Sequence, residues 1–139
     1  MSLNTENLES CINTLESSLK MLNQSKAGST EYEIFRNAVI KGFELTLEIS
    51  GKLLKKSLRP FFATSKEADM LTYKDVFRHA AKHDIITIEE VERWFKYRDN
   101  RNVTAHDYGK GFAEETLILL PEFVADAKRL MERMKNVDV

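Results

Sequence analysis

Leu8, Ile12, Leu15, Leu19 and Leu22 follow one another at steps of four, three, four and three. An α-helix turns once in about 3.6 residues, so this spacing lays all five on one apolar stripe of a helix of about 20 residues. Asn4 or Thr5 is placed to cap it, and the turn around Gly28 closes it. The same period then recurs along the chain. "TEYE" reads as a capping box, Thr30 reaching one way and Glu33 the other. It opens a long helix through Ile34, Phe35, Ala38, Val39, Phe43, Leu47, Leu53, Leu54 and Leu58. The apolar arc of this helix is broad, which makes it the central one. Gly42 and Gly51 lie inside it at a cost of about 1 kcal/mol each relative to alanine; close packing against a neighbouring helix is the reason read for them.

Pro60 ends the central helix, since it lacks an N–H and disfavours helical geometry at Arg59. "FFATSKEADML" carries no period and reads as a loop anchored by Phe61 or Phe62. "TYKD" caps a short helix bearing Val76, Phe77, Ala80 and Ala81. "TIEE" caps another, with Ile88, Val91, Trp94 and Phe95 facing inward. Gly109 and Gly111 interrupt, and a last helix spans about Phe112 to Met134, with Pro121 predicted to kink it near residue 117. Nothing alternates with period two for long, and two prolines and five glycines leave too few turns for an all-β fold. The expected fold is all-α: an up-and-down bundle of about five helices, with residues 1–139 forming one domain.

With 21 basic and 22 acidic residues the formal charge is −1, which excludes a generally basic nucleic-acid surface; any anion site must be local. Cys11 is the single cysteine, so no intramolecular disulfide can form. It sits at helical spacing from Leu8, Ile12 and Leu15 and reads as a small buried hydrophobe. "MSLNTENLES" has neither a basic nor an apolar leader region, and no apolar run approaches the ~20 residues of a membrane helix. A soluble cytoplasmic protein is expected.

The stretch with chemical content is "WFKYRDNRNVTAHDYG". On a helix, Arg98, Arg101, Asn102, Ala105 and His106 fall in one sector bordering the Trp94 side. Arg101 can grip a phosphate or a developing oxyanion with two parallel hydrogen bonds. His106 can exchange a proton near neutral pH. Asn102 can fix the imidazole tautomer or hold a second phosphate oxygen. These are the parts needed for RNA cleavage without a metal. A structural alternative stands beside it: Arg101 capping carbonyls near the helix end, and His106 as a half-buried histidine.

"RNVTAH" has the R-x(4–6)-H pattern, with a polar residue after the arginine, and "DY" extends it to R-x4-H-x-Y. In this the chain resembles the HEPN superfamily, in its nucleotidyltransferase substrate-binding protein branch, which includes the toxin half of MNT–HEPN toxin–antitoxin pairs. "FELTLEISGKLLKKSL", "YKDVFRHAAKHDII" and "ILLPEFV" look alike as well, so the resemblance runs from about residue 5 to 135. It implies catalytic roles for Arg101, Asn102 and His106; Arg98, in the same helical sector, is a candidate further phosphate contact. It implies a homodimer whose two motifs line one cleft, and the one histidine that each motif supplies gives that a physical reason: the two-fold axis brings a second proton-transfer group. It also implies a partner, a minimal nucleotidyltransferase that adenylylates the motif tyrosine. Tyr108 is the matching acceptor.

Two functions follow from that cleft. One is a metal-independent ribonuclease toxin silenced by its transferase; the other is a non-catalytic subunit that presents a nucleotide or substrate to that transferase. The intact motif favours the first and the near-neutral charge the second. The chain is not itself the transferase: Gly28-Ser29 is followed by no Asp-x-Asp to hold Mg²⁺. No cofactor and no metal are called for. His79 and His83 have the spacing of a ligand pair but lack a patterned third ligand, and read as solvated. Lys52, Lys55, Lys56 and Arg59 form a small basic face. Glu89, Glu90 and Glu92 suit the first turn of their helix.

Overall fold

The computed structural model describes residues 3–104 and 110–137, without the side chains of residues 102–113. Six α-helices follow in order: α1 (Glu6–Gln24), α2 (Thr30–Leu58), α3 (Ser65–Asp69), α4 (Tyr73–Lys82), α5 (Ile88–Thr104) and α6 (Lys110–Lys135). A single 3-10 turn, Arg59–Phe61, joins α2 to α3. The protein is an all-α bundle, and no strand occurs among the described residues. Its axis is α2, which packs on α1, α4, α5 and α6.

The helix starts are set by side-chain oxygens. Thr72 Oγ1 accepts from the Asp75 amide, ending α4's need for one of its orphan donors. At α5 the capping is reciprocal: Thr87 Oγ1 accepts from the Glu90 amide, and Glu90 Oε1 accepts from the Thr87 amide. At α1 it is Asn4, rather than the N-cap Thr5, whose side chain accepts an amide, that of Glu6.

Three expectations are corrected. The α2 cap is not the Thr30–Glu33 box: Ser29 precedes the helix and its Oγ accepts from the Tyr32 amide at 3.1 Å. Gly28, at φ +83°, makes the left-handed step that brings Ser29 there. The unpatterned stretch after Phe62 is not all loop, because Thr64 caps the short α3 and Ala68 is buried beneath it. Ile34, Ala38 and Ile88 face outward, Ile88 as the first residue of α5 and Ile34 near the start of α2. Little of the bundle passes over a helix end, so an apolar residue there has nothing to pack on.

The core is aromatic at its centre. Phe43 of α2 meets Phe123 of α6 edge-on at 4.8 Å between ring centroids, and Trp94 of α5 stacks on Phe77 of α4 at 5.0 Å. Tyr97 closes the group against Phe123 and Trp94. Burying each such ring contributes about 1.5–3 kcal/mol, with a further increment for edge-to-face geometry. The helical glycines permit close approach, as expected. A methyl group at Gly42 would press on Leu15 at 3.2 Å, and one at Gly51 would overlap the ring of Tyr73.

Candidate functional site: the C-terminal half of α5

The inward side of α5 is fixed by different means at its two ends. The inner face carries Trp94 and Tyr97, both almost wholly buried. Tyr97 Oη donates to Asp126 Oδ2 of α6 at 2.6 Å, and Arg93 donates to both oxygens of the same carboxylate, at 2.8 and 2.9 Å. Arg129 donates to it as well. Asp126 itself is fully buried. Burial opposes its ionisation, yet hydrogen bonds from Arg93, Tyr97 and Arg129 outweigh that and hold the carboxyl below its ordinary range. Burial, then the hydrogen bond to Asp126, pushes the Tyr97 hydroxyl well above the ordinary phenol range.

One turn nearer the N-terminus of α5, Glu90 is buried and accepts from Arg133 and from Thr87. Burial again opposes the charge, and Arg133 with Thr87 again wins, so its carboxyl is held low. The acidic first turn of α5 thus does more than complement a helix dipole: one of its glutamates is a buried clasp to α6. Nearer the motif, Thr116 Oγ1 donates to Asn100 Oδ1 at 2.7 Å and ties the two helices again.

Further along the same side of α5, where it meets α2 and α4, stand Arg98 and Arg101, three residues apart. The Arg98 guanidinium lies 4.5 Å from the centroid of the Tyr73 ring, a cation–π seat. Tyr73 is held in turn: its hydroxyl donates to the Leu47 carbonyl at 2.9 Å, and Gly51 leaves room for the ring. Arg101 Nη2 stands 3.5 Å from Glu48 Oε2. Lys74 pairs with Asp99 at 3.0 Å alongside. Both arginines are partly exposed, and each guanidinium is positioned by a neighbour in the fold.

Of the candidate site residues, Arg98 and Arg101 stand one turn apart on this side of α5. The Asn102 backbone belongs to α5, while the Asn102 side chain, His106 and Tyr108 lie outside the described residues. Sequence reading missed Glu48 and Tyr73. Gly51 inside a helix signalled that something approaches closely, but not that it is Tyr73. Glu48, flanked by Leu47 and Ile49, carries no local mark of a partner 53 positions away.

His79 and His83 do not converge as a ligand pair. His83 stacks on Phe61, ring centroids 3.8 Å apart and 9° from parallel, and His79 meets Phe62 edge-on at 5.1 Å. Among the described residues no group of three or more His, Cys, Asp or Glu side chains could hold a metal ion. No helix among them is long and apolar enough to cross a membrane.

Residues 3–136 match the family described as nucleotidyltransferase substrate binding protein like. The chain belongs to that family. The match spans every helix of the bundle, and the resemblance carried by "RNVTAHDYG" agrees with it. A curated family relative, the probable ribonuclease HepT of Haemophilus influenzae, is 24% identical over 138 residues, covering 96% of this chain and 93% of its own. A solved H. influenzae structure, described as the fold of a substrate-binding domain of a nucleotidyltransferase, superposes with a TM-score of 0.82 at 22% identity, over 96% of this chain and 100% of that one. A solved toxin–antitoxin complex with AMP-PNP contains a chain that superposes with a TM-score of 0.67 at 15% identity, over 94% and 98% of the two chains. At these identities the structural neighbours establish the shared fold.

Proposed function

We propose that this family member is a HEPN-type toxin, a metal-independent endoribonuclease in which Arg101, Asn102 and His106 are the catalytic groups and Arg98 is a further phosphate contact. One observation carries the reading: the R-x4-H-x-Y run at residues 101–108 stands intact in a chain that matches its family from residue 3 to 136. The name of the H. influenzae relative and the toxin–antitoxin neighbour support it. So does the placing of Arg98 and Arg101 on one partly exposed face, each already aimed by a neighbour.

The chemistry is acid–base catalysis at phosphorus. His106 takes the proton of a ribose 2′-hydroxyl, the 2′-oxygen attacks the adjacent phosphorus, and the P–O5′ bond breaks. The leaving 5′-oxygen takes its proton from an acid, and a symmetric homodimer provides one as the second His106. Arg101 stabilises the charge that builds on the phosphoryl oxygens. The partner is a minimal nucleotidyltransferase that transfers AMP from ATP to the Tyr108 hydroxyl with release of pyrophosphate. The added bulk and negative charge beside Arg101 and His106 close the anion site.

Purified protein incubated with single-stranded RNA in EDTA tests the reading. Cleavage is expected, and His106→Ala and Arg101→Ala should each abolish it with helicity and melting almost unchanged. Arg101→Lys should also fail, because a lysine cannot make two parallel bonds to a phosphate. Activity that EDTA removes would overturn the mechanism. A second reading, a non-catalytic subunit that offers a nucleotide to the transferase, is favoured by the net charge of −1; it expects nucleotide binding with no cleavage under any of these conditions.

A further inference from the structure

We infer that the exposed arc of α2 from Lys52 to Arg59, with the outward face of Phe61 at its end, is the track for single-stranded RNA flanking the Arg98–Arg101 site. The inference rests on the ribonuclease reading and names a part of the substrate that the motif does not touch.

Between Glu48 and Glu67 the chain carries five cations, Lys52, Lys55, Lys56, Arg59 and Lys66, and no carboxylate. That is a strong local bias in a chain whose total charge is −1. At about 100° per residue, positions 48, 52, 55, 56 and 59 fall within an arc of about 100°. Lys52 and Lys56 are exposed on it. Lys55 and Arg59 lean on α3, donating to the carbonyl and the carboxylate of Asp69, each at 3.2 Å. The head of the arc is continuous with the site, because Glu48 contacts Arg101. From Glu48 to Arg59 the helix rises about 16 Å, enough for a few nucleotides.

Two residues beyond Arg59, at the end of the 3-10 turn, stands an exposed aromatic ring. Phe61 is 48% exposed, yet its ring is not loose: it lies nearly parallel to His83 at 3.8 Å. The imidazole covers one face, and about half of the residue stays accessible. A rigid, half-covered ring costs little further ordering when a base stacks on it, and sequence-independent binding of single strands combines such platforms with lysines along the backbone. A duplex keeps its bases stacked internally and offers Phe61 no face. That selects single-stranded RNA over double-stranded.

The experiment measures binding of a labelled 12-nucleotide 2′-O-methyl oligouridylate, which lacks the attacking hydroxyl and so survives the assay, by fluorescence anisotropy between 50 and 200 mM salt. Lys52→Ala with Lys56→Ala should weaken binding about tenfold and lower the slope of log affinity against log salt by about 1.4, two single-strand phosphate contacts. Phe61→Leu should weaken it about fivefold or more without changing the slope, since stacking is lost and charge is not. A matching duplex should bind more weakly and ignore Phe61→Leu. In parallel, cleavage of unmodified 12-mer and of the dinucleotide UpU is compared: the lysine pair should raise KM for the 12-mer and leave the dinucleotide untouched. If wild type cleaves neither RNA while binding responds as described, the ribonuclease reading falls and the track stands. If wild type cleaves and the lysine pair binds and cleaves the 12-mer as well as wild type does, the track falls alone, and an acidic protein partner becomes the reading of the lysines. No binding by wild type sinks the track outright.

Discussion

Arg93 of α5 and Asp126 of α6 form a two-pronged ion pair whose carboxylate is wholly inside the protein, while the guanidinium reaches the surface. A buried charge without partners is far costlier than a pair. Asp126→Ala should therefore lower stability by about 3 kcal/mol, leaving Arg93 and Arg129 to rehydrate but Tyr97 orphaned in the core. Chemical denaturation reads this directly; a loss below about 1 kcal/mol would mean that Asp126 is not the clasp between α5 and α6.

Acid should unfold the protein through the same groups. Asp126 and Glu90 are both held below their ordinary range in the folded state. In the unfolded chain they titrate near pH 4, so below about that value the unfolded state takes up protons that the folded state resists. Their contribution is complete above about pH 5 and is lost as pH falls further towards the folded values. Urea midpoints between pH 7 and pH 3 should show the decline, and Asp126→Asn should flatten part of it. An unchanged acid limb in Asp126→Asn would assign the effect elsewhere.

Gly51→Ala should cost about 1–3 kcal/mol, because the new methyl overlaps a ring that is itself tied down at Leu47. Tyr73→Phe removes only the hydroxyl bond, worth about 1 kcal/mol, and keeps the seat for Arg98. Gly51→Ala, Tyr73→Leu and the double variant Gly51→Ala/Tyr73→Leu, in which the smaller side chain makes room, give a cycle. Failure of the double variant to recover stability would put the strain somewhere other than this contact.

Glu48 competes with any anion for Arg101. Glu48→Gln should tighten RNA binding by about two- to fivefold at low salt, the range expected for a partly exposed ion pair, and by less as salt rises. Weaker binding in Glu48→Gln would mean that the carboxylate holds Arg101 in its working orientation instead of opposing the substrate.

Asp84 ends α4 at φ +62°. The amide of Ile85 reaches back to Ala80 and that of Asp84 to Ala81, the double bond of a Schellman motif, at whose left-handed position glycine is preferred. Asp84→Gly should raise stability by up to about 1 kcal/mol, a few degrees in melting temperature. A lower melting temperature would show that the aspartate side chain contributes more than its backbone strain costs.

Much of this was readable before any coordinates. The stripe of α1, the caps at Thr72 and Thr87, and the two helical glycines follow from local rules, in which a residue and its neighbours four positions away carry the information. What escaped is non-local. α3 spans only five residues, too few to display a period. Glu90 and Asp126 look like solvated positions on amphipathic helices, and only their arginine partners on a facing helix bring them inside. Arg98 and Arg101 were named from the motif, but their supports at Tyr73 and Glu48 depend on how α2, α4 and α5 stack. Asn102, His106 and Tyr108 rest on the motif and the family alone.

The basic arc of α2 also decides how this molecule meets a charged surface. A calculated pI of about 6.3 describes a weak acid that should pass through a cation exchanger at neutral pH. Adsorption, however, senses the face that touches and not the sum over all faces, and here cations are gathered along α2 while carboxylates such as Asp126 and Glu90 are hidden beneath arginines. On a phosphate-bearing or sulfated matrix the molecule would be retained against its formal charge, and it would land one way up, with the Lys52–Arg59 end of α2 against the support.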